Sequence, residues 1–153
     1  MRLTAIKQRL LGAWTGENRL ILSWLPNPEH LSKTDMTVST VVNDKFLSFA
    51  YTWEHDGAGH QGLLIVGNEN PEEKATASWV DSWHMSGGVL FCKGHVADDG
   101  VIHLLGSYEA PPDPDWGWRT EIRSASDSLT ILMFNVSPDG VEELAVEGNY
   151  KRR

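Results

Sequence analysis

Residues 10–17 read Leu10-Leu11-Gly12-Ala13-Trp14-Thr15-Gly16-Glu17, and here a short amphipathic segment gives way to extended chain. Before this stretch, Leu3, Ile6 and Leu10 fall at helical spacing. A glycine, one residue and then a large aromatic is typical of the first strand of antiparallel barrels, where the ring closes one end and the glycine lets the chain bend beside it. The sequence therefore predicts a short N-terminal helix lying across the end of a β-barrel. The predicted first strand carries large apolar residues at even spacing: Trp14, Leu20, Leu22 and Trp24.

Turn residues divide the remaining chain about every ten positions, as they do in all-β proteins. Asn43-Asp44 and Asp98-Asp99-Gly100 are two of these predicted turns. The segment 110–115 contains three prolines, which lack ladder donors, so we expect an exposed loop there and another at 68–73. The predicted strands are 13–24, 36–42, 46–53, 61–67, 75–84, 89–96, 101–108, 118–123, 129–136 and 141–150.

No helical crossover separates these segments, so we expect neighbours in sequence to pair antiparallel. The predicted fold is all-β, an up-and-down antiparallel β-barrel of about ten strands with a short N-terminal helix. Closure hides the sheet edges, and ten strands leave more room inside than eight. A barrel filled by its own side chains, or a flattened sandwich without a cavity, is the alternative.

Composition narrows the class of protein. The length of 153 residues suits one domain, 1–153. The net charge is 13 − 21 = −8, which argues against nucleic acid or an anionic membrane as partner. Cys92 is the only cysteine, so no internal disulfide forms, and the N-terminus lacks a signal-peptide pattern. No apolar run approaches the ~20 residues of a membrane span. We expect a cytoplasmic protein, with its oligomeric state open.

Short motifs in the same order as in a known family extend over most of the chain. They are Gly12-x-Trp14-x-Gly16-Glu17, Ser78-Trp79-Val80-Asp81-Ser82, Gly94 and the terminal Tyr150-Lys151-Arg152. With these motifs the chain resembles the bacterial family of domain of unknown function 1579, which is lipocalin-like and belongs to the calycin group. The resemblance implies a barrel of about ten strands and no particular reaction. It also implies that Arg152 or Lys151 packs on Trp14 by a cation–π contact.

Alternate residues of a strand share a face, so Trp79, Asp81 and Trp83 of the fifth predicted strand lie together. Burial of the two indoles favours the inward direction and takes Asp81 with them. Flat rings that carry one polar atom suit the lining of an amphipathic pocket. The predicted ligand-binding residues are Trp79, Asp81, Trp83, Tyr51, Trp53 and Trp118. On the ninth strand, the face of Ile131 and the face of Leu132 are equally apolar, so its register stays open.

A buried Asp81 needs hydrogen-bond partners. Neighbouring backbone or a tyrosine would make it structural, whereas a free carboxylate would bind the polar end of a ligand. The candidate cationic partners are Arg19, Lys93, Arg119 and Arg123.

We hypothesise that the barrel binds a small, partly apolar molecule, with no cofactor named. Three other classes stay open. His84, His95 and His103 lie in consecutive predicted strands and form a metal or haem site if pairing collects them, although no metal-ligand spacing occurs in the sequence. Asp81 with His84 or His103 is the candidate acid–base pair of an enzyme. An interaction module would use an exposed sheet face and no cavity.

Overall fold

The computed structural model describes residues 1–68 and 74–153. One helix precedes ten strands, and most of the loop predicted at 68–73 lies outside the described residues. The elements are α1 Leu3–Leu10, β1 Gly12–Ile21, β2 Glu29–Val41, β3 Phe46–His55, β4 Ala58–Asn68, β5 Lys74–Asp81, β6 Leu90–Val96, β7 Ile102–Ala110, β8 Asp113–Ser124, β9 Ser128–Val136 and β10 Glu142–Arg152.

The strands form one closed barrel in which each strand pairs antiparallel with its neighbours in sequence. Closure comes from β1 and β10, whose register runs from Trp14 opposite Arg152 to Leu20 opposite Val146. The predicted all-β, up-and-down barrel of ten strands with a short N-terminal helix is confirmed. Closure leaves no sheet edge to pair with another chain, which is the physical advantage of this topology.

The helix α1 closes one end of the barrel with three buried side chains, Leu3, Ile6 and Leu10. Trp14 packs beneath it, fully buried, and its indole N–H donates to the carbonyl oxygen of Leu10 at 2.9 Å. The guanidinium of Arg152 lies 4.3 Å from the centre of the Trp14 ring, so the expected cation–π contact is made by Arg152.

Arg152 also ends the helix. Its guanidinium donates to the carbonyl oxygens of Leu11 at 2.8 Å and Arg9 at 2.9 Å. Carbonyl groups at the C-terminal end of a helix have no backbone partner within the helix, so Arg152 satisfies them. Gly12, between helix and strand, has a φ of +127°, and a Cβ atom there would lie 3.0 Å from the guanidinium. Both observations explain why glycine stands at this junction.

Several predicted boundaries are wrong, for reasons of tertiary pairing. β2 begins at Glu29 rather than 36, β4 begins at Ala58 rather than 61, and β5 ends at Asp81 rather than 84. The first strand ends at Ile21, where Ile21 pairs with Glu29, and Trp24 lies 73% exposed in the turn beyond. The predicted loop at 110–115 is shorter than expected, because β8 already starts at Asp113, which pairs with Ala110. Pro114 lies where the β7–β8 register shifts, so no ladder donor is needed there.

The interior is filled by alternate residues of every strand. On β9 the buried face is Leu129, Ile131 and Met133, which settles the register that the sequence left open. Phe134 faces outward, with the guanidinium of Arg119 4.2 Å from its ring centre. With the helix at one end, the opposite end is where β5 finishes and the aromatic side chains of the predicted site gather.

Candidate functional site

The predicted inward face of β5 is present. Trp79 and Asp81 are 2% and 3% exposed, and β5 ends at Asp81. The chain then turns back through residues 82–89, so Trp83 lies beyond the strand and is half-buried. We call this chain segment, residues 82–89, the mouth loop.

Asp81 is the centre of a hydrogen-bond network. Its Oδ2 accepts from the Tyr51 hydroxyl at 2.7 Å and from the Trp53 indole N–H at 3.1 Å. Its Oδ1 accepts from the backbone N–H groups of Trp83 at 2.8 Å and His84 at 3.2 Å. The carboxylate thus connects β3 to β5 and holds the first turn of the mouth loop, as the structural interpretation of this residue requires.

The network continues from Asp81 to the next indole. The Trp79 indole N–H donates to the Tyr51 hydroxyl at 2.9 Å. The Tyr51 side chain lies over Gly62, its pairing partner on β4. Only glycine leaves room for it, because a Cβ atom at position 62 would lie 2.0 Å from the tyrosine ring. Burial and the adjacent carboxylate raise the pKa of Tyr51 well above its usual value, so the hydroxyl stays a donor at neutral pH.

The expected cationic partners of Asp81 have other roles. Arg19 pairs with Glu29 and Glu147 on the outer surface. Arg119 bonds Glu121 and Glu142, and Arg123 bonds Glu121. Lys93 is exposed. These side chains point outward by strand parity, so the prediction that one of them neutralises Asp81 is wrong.

His84 is enclosed by aromatic rings. Its imidazole stacks on Trp53 at 5.5 Å and meets Trp83 edge-on at 4.9 Å. The rings of Trp79 and Trp118 lie 5.3 and 5.5 Å away. Burial lowers the pKa of His84 to about 4 against the opposing attraction of Asp81. The imidazole is therefore neutral at physiological pH.

Two internal spaces meet at His84. A cavity of about 240 Å³ opens at the mouth, and we call it the mouth pocket. A second space of about 20 Å³ lies deeper, among Tyr51, Asp81 and Tyr150, and has room for about one water molecule. The deep interior is thus nearly filled, and the usable space is at the mouth. The mouth pocket is lined by Trp79, His84, Met85, Leu90, Tyr108, Trp118 and Asn135.

One buried polar atom of a residue that lines the mouth pocket lacks a partner. Within residues 1–68 and 74–153, two buried side-chain polar atoms make no hydrogen bond, His30 Nε2 and Trp118 Nε1. Trp118 is 7% exposed and stacks on Trp79 at 5.3 Å with an angle of 12° between the rings. Asn135 Oδ1 already accepts from the Tyr108 hydroxyl at 2.6 Å. The Trp118 N–H therefore has no acceptor supplied by the protein.

The six predicted binding residues form one contiguous cluster, but only two of them line the mouth pocket. Trp79 and Trp118 do so, whereas Tyr51, Trp53 and Asp81 border the deeper space. Trp83 packs against Trp53 at 5.8 Å and against His84. The sequence analysis did not assign Met85, Leu90, Tyr108 or Asn135 to the pocket. Strand parity was a usable signal for Tyr108 and Asn135, which share inward faces with Leu104 and Met133.

The three histidines proposed as a metal or haem site are not brought together. His84 lies inside the barrel mouth, whereas His95 and His103 stack on each other at 5.1 Å on the outer surface. In the described ranges no three metal-ligating side chains form a group. The proposed acid–base pair of Asp81 with His84 or His103 is not formed either. The hydrogen bond that Asp81 accepts from His84 comes from the backbone N–H and not from the imidazole. The imidazole of His103 lies 3.8 Å from the Glu121 carboxylate.

A larger concavity of about 670 Å³ lies on the outer surface of the barrel, between exposed apolar side chains such as Phe91 and Leu105. It is an open groove, and neither of the unpartnered buried atoms found in the described chain belongs to it. The mouth pocket is smaller but less open, and it lies inside the barrel end among the aromatic rings of the predicted site. We therefore take the mouth pocket as the candidate site.

The profile of the family described as protein of unknown function (DUF1579) matches residues 5–152. The chain belongs to the DUF1579 family. This agrees with the motifs around Trp14, Asp81 and Tyr150 that suggested it. A search of curated proteins gives no significant match. No helix in the described part of this DUF1579 protein is long and apolar enough to cross a membrane.

Two solved structures share the fold over more than nine-tenths of their length. The crystal structure of Rv2717c from M. tuberculosis aligns with a TM-score of 0.67 at 15% identity, covering 100% of this chain and 99% of that one. The S-type phycobiliprotein lyase CPES from Guillardia theta aligns with a TM-score of 0.64 at 13% identity, covering 100% and 93%. At such identities the likeness is one of fold, a lipocalin-like barrel.

Proposed function

We propose that this DUF1579 protein binds a small, partly apolar molecule in the mouth pocket. The observation that carries the proposal is the recessed cavity of about 240 Å³ whose wall combines indole rings, Leu90 and Met85 with the polar side chains of Tyr108 and Asn135. Apolar walls with a few placed polar groups are typical of small-molecule sites. The volume suits a ligand of one or two rings, because it lies just below the roughly 300–1,000 Å³ of pockets that hold drug-sized ligands.

The Asp81 network supports the pocket and does not act as its binding group. Its four accepted hydrogen bonds hold Trp53, Tyr51 and the mouth loop in place, and Tyr51 in turn positions Trp79. A pocket whose wall is held by such bonds loses little side-chain freedom when a ligand enters. The proposed roles are thus direct contact for Trp79 and Trp118, and positioning for Tyr51, Trp53, Asp81 and Trp83.

The single cysteine supports a cytoplasmic location. Burial raises the pKa of the Cys92 thiol to about 11, so Cys92 acts as a small apolar side chain and not as a nucleophile.

The net charge of −8 supports a partner other than nucleic acid. The likeness to a phycobiliprotein lyase supports the barrel, and at 13% identity it assigns no substrate.

Naphthalene is a suitable probe, because it is apolar, flat and of two rings. Titration followed by the indole N–H signals in NMR should show saturable shifts for Trp79 and Trp118. Trp14 is an internal control at the helix end, where its N–H is bonded to Leu10, and its signal should stay in place. Native mass spectrometry of the undenatured protein would in addition detect a ligand that co-purifies.

Two variants that each add an indole make a matched pair. Met85→Trp fills the mouth pocket and should weaken naphthalene binding at least tenfold. Phe91→Trp adds the same ring to the outer surface, where Phe91 is 73% exposed, and should leave binding unchanged. Equal affinity in both variants, or no saturable binding to the wild type, contradicts the proposed function.

A further inference from the structure

We propose that the open groove on the outer surface of the barrel is the interface of a two-fold symmetric dimer, in which a second copy of this chain covers it. The groove shares no lining residue with the mouth pocket, so this inference does not depend on the proposed function.

The groove carries apolar side chains that face water in a single copy. Phe91 and Leu105 are 73% and 53% exposed, and Phe46 and Ile65 line the same surface. Single exposed apolar residues are common, whereas several that border one concavity mark an interaction site. A partner that covers the groove would remove these side chains from water.

The relief of the groove suits packing against another protein surface. In the ladders of β4, β5 and β6, Ser78 lies between Ile65 and Phe91. On the other side of Phe91, Gly117 pairs with Val136. A short side chain beside larger ones makes a depression, so the groove offers both a protruding ring and depressions that can receive one.

The width of the groove indicates a protein as the partner. It extends from Phe46 on β3 to Val136 on β9, which is six strand spacings or about 29 Å along the sheet. A standard interface buries about 800 Å² of each partner, which corresponds to a width of about 28 Å. The closed barrel has no edge strand, so the partner must pack by side chains and not by strand addition.

Two charged residues identify that partner as a second copy. Of the side chains that line the groove, only Lys93 on β6 and Asp115 on β8 are charged. Strand β7 separates them by about 10 Å across the sheet, and neither makes an ion pair with any residue that the structure describes. Each charge is therefore available to a partner.

Two-fold symmetry pairs these charges. A two-fold axis in the interface, midway between Lys93 and Asp115, makes the contact isologous, so that Lys93 of one copy meets Asp115 of the other and the reverse. Because the two charges cancel, the groove is also a surface on which two chains of net charge −8 can meet without local repulsion.

Sedimentation equilibrium measures the mass and the dissociation constant of the dimer. The wild type should approach twice the 17.1 kDa of one chain as its concentration rises. Phe91→Ser should weaken dimerisation about tenfold or more, because it removes the most exposed ring of the groove. Trp24→Ser is the matched control, since Trp24 is also 73% exposed but lies outside the groove, and it should leave the dissociation constant unchanged.

Charge reversal tests the two-fold pairing. Lys93→Glu alone and Asp115→Lys alone place like charges opposite each other, and symmetry repeats the change at both pairs, so each should weaken the dimer about tenfold. The double variant Lys93→Glu/Asp115→Lys restores opposite charges and should bring the dissociation constant to within about threefold of the wild type. Both side chains are exposed, so these variants should fold as the wild type does.

Three results would overturn the proposal. A wild type that stays at 17.1 kDa at every concentration shows that a second copy does not cover the groove and leaves it to a partner of different chemistry. A dimer that Phe91→Ser leaves unchanged forms through another face. If the single charge variants weaken the dimer and the double variant does not restore it, the pairing of Lys93 with Asp115 across a two-fold axis is wrong.

Discussion

Acidification from pH 7 to pH 5 should destabilise this protein through His84. In the folded state the imidazole is enclosed by four indole rings, and burial lowers its pKa from 6.5 to about 4. In the unfolded chain the ring is hydrated and keeps the ordinary value. Between these two pKa values the unfolded state binds a proton that the folded state does not.

This difference sets the sign and size of the effect. Because the unfolded state binds more protons, the free energy of unfolding rises with pH from about 4 to about 6.5 and is lost as the pH falls through the same range. The difference between the pKa of 6.5 and the pKa of about 4 corresponds to at most about 3.4 kcal/mol at 1.36 kcal/mol per pKa unit. Between pH 7 and pH 5 the loss from His84 alone should be about 2 kcal/mol.

Urea unfolding at both pH values measures the effect. His84→Gln removes the titrating group and should have a loss between pH 7 and pH 5 that is smaller by about 2 kcal/mol than in wild type. His95→Gln is the control, because His95 stacks on His103 on the outer surface, away from the indoles. It should keep the pH dependence of the wild type.

An identical pH dependence in wild type and His84→Gln would refute the reasoning. It would mean that His84 has the same pKa in the folded and unfolded states, and hence that the imidazole is hydrated in the folded protein. The mouth pocket would then be open at His84, and the aromatic enclosure described above would be wrong.

Three further outcomes are expected. Asp81→Asn should cost about 2–4 kcal/mol of unfolding free energy, because the amide NH₂ must face two hydrogen-bond donors in either orientation. The control variant Asp139→Asn, in an exposed turn, should cost under about 0.5 kcal/mol. Similar costs in the two variants would argue against the Asp81 network. Trp14→Ala should cost about 3–5 kcal/mol in denaturant unfolding, and a loss below about 1 would mean that the ring does not close the barrel. Zinc should leave the melting temperature nearly unchanged, and a saturable rise that His95→Ala removes would revive a metal site at the stacked pair.

The fold was predictable because its signals are local. Turn residues recur at short intervals, helical spacing ends at Gly12, and Trp14 opens the first strand. The wrong boundaries lie where pairing with a neighbouring strand, and not the local sequence, decides where a strand begins or ends. Trp24 continues the even spacing of the first strand, yet the β1–β2 ladder ends at Ile21 and leaves it in water. The prolines of 110–115 predict a loop, but a shift in register lets the strand resume beside Pro114.

The site residues that lie within strands were predictable from the alternation of inward and outward side chains. Alternation places Trp79 and Asp81 on the inner face, and likewise Tyr51 and Trp53, because the pairing registers of β3, β4 and β5 run there without a shift. Parity says nothing beyond the end of a strand. His84 enters the barrel because the mouth loop turns on Asp81, whose carboxylate binds two backbone N–H groups of the loop. The direction of such a turn depends on contacts that a linear pattern does not contain.

The two ends of the barrel use the same residue type in opposite ways, and this contrast supports the choice of site. At the helix end Trp14 is fully buried, its N–H bonds to Leu10 and its face carries Arg152, so every interaction the indole can make is made within the protein. At the mouth Trp118 is almost as buried, but its ring stacks on Trp79 and lines the mouth pocket. The indole rings at the mouth therefore border an open volume that a flat apolar ligand could fill, as the proposed function requires. The helix end, where Leu3, Ile6 and Leu10 cover Trp14, is closed by the protein's own side chains.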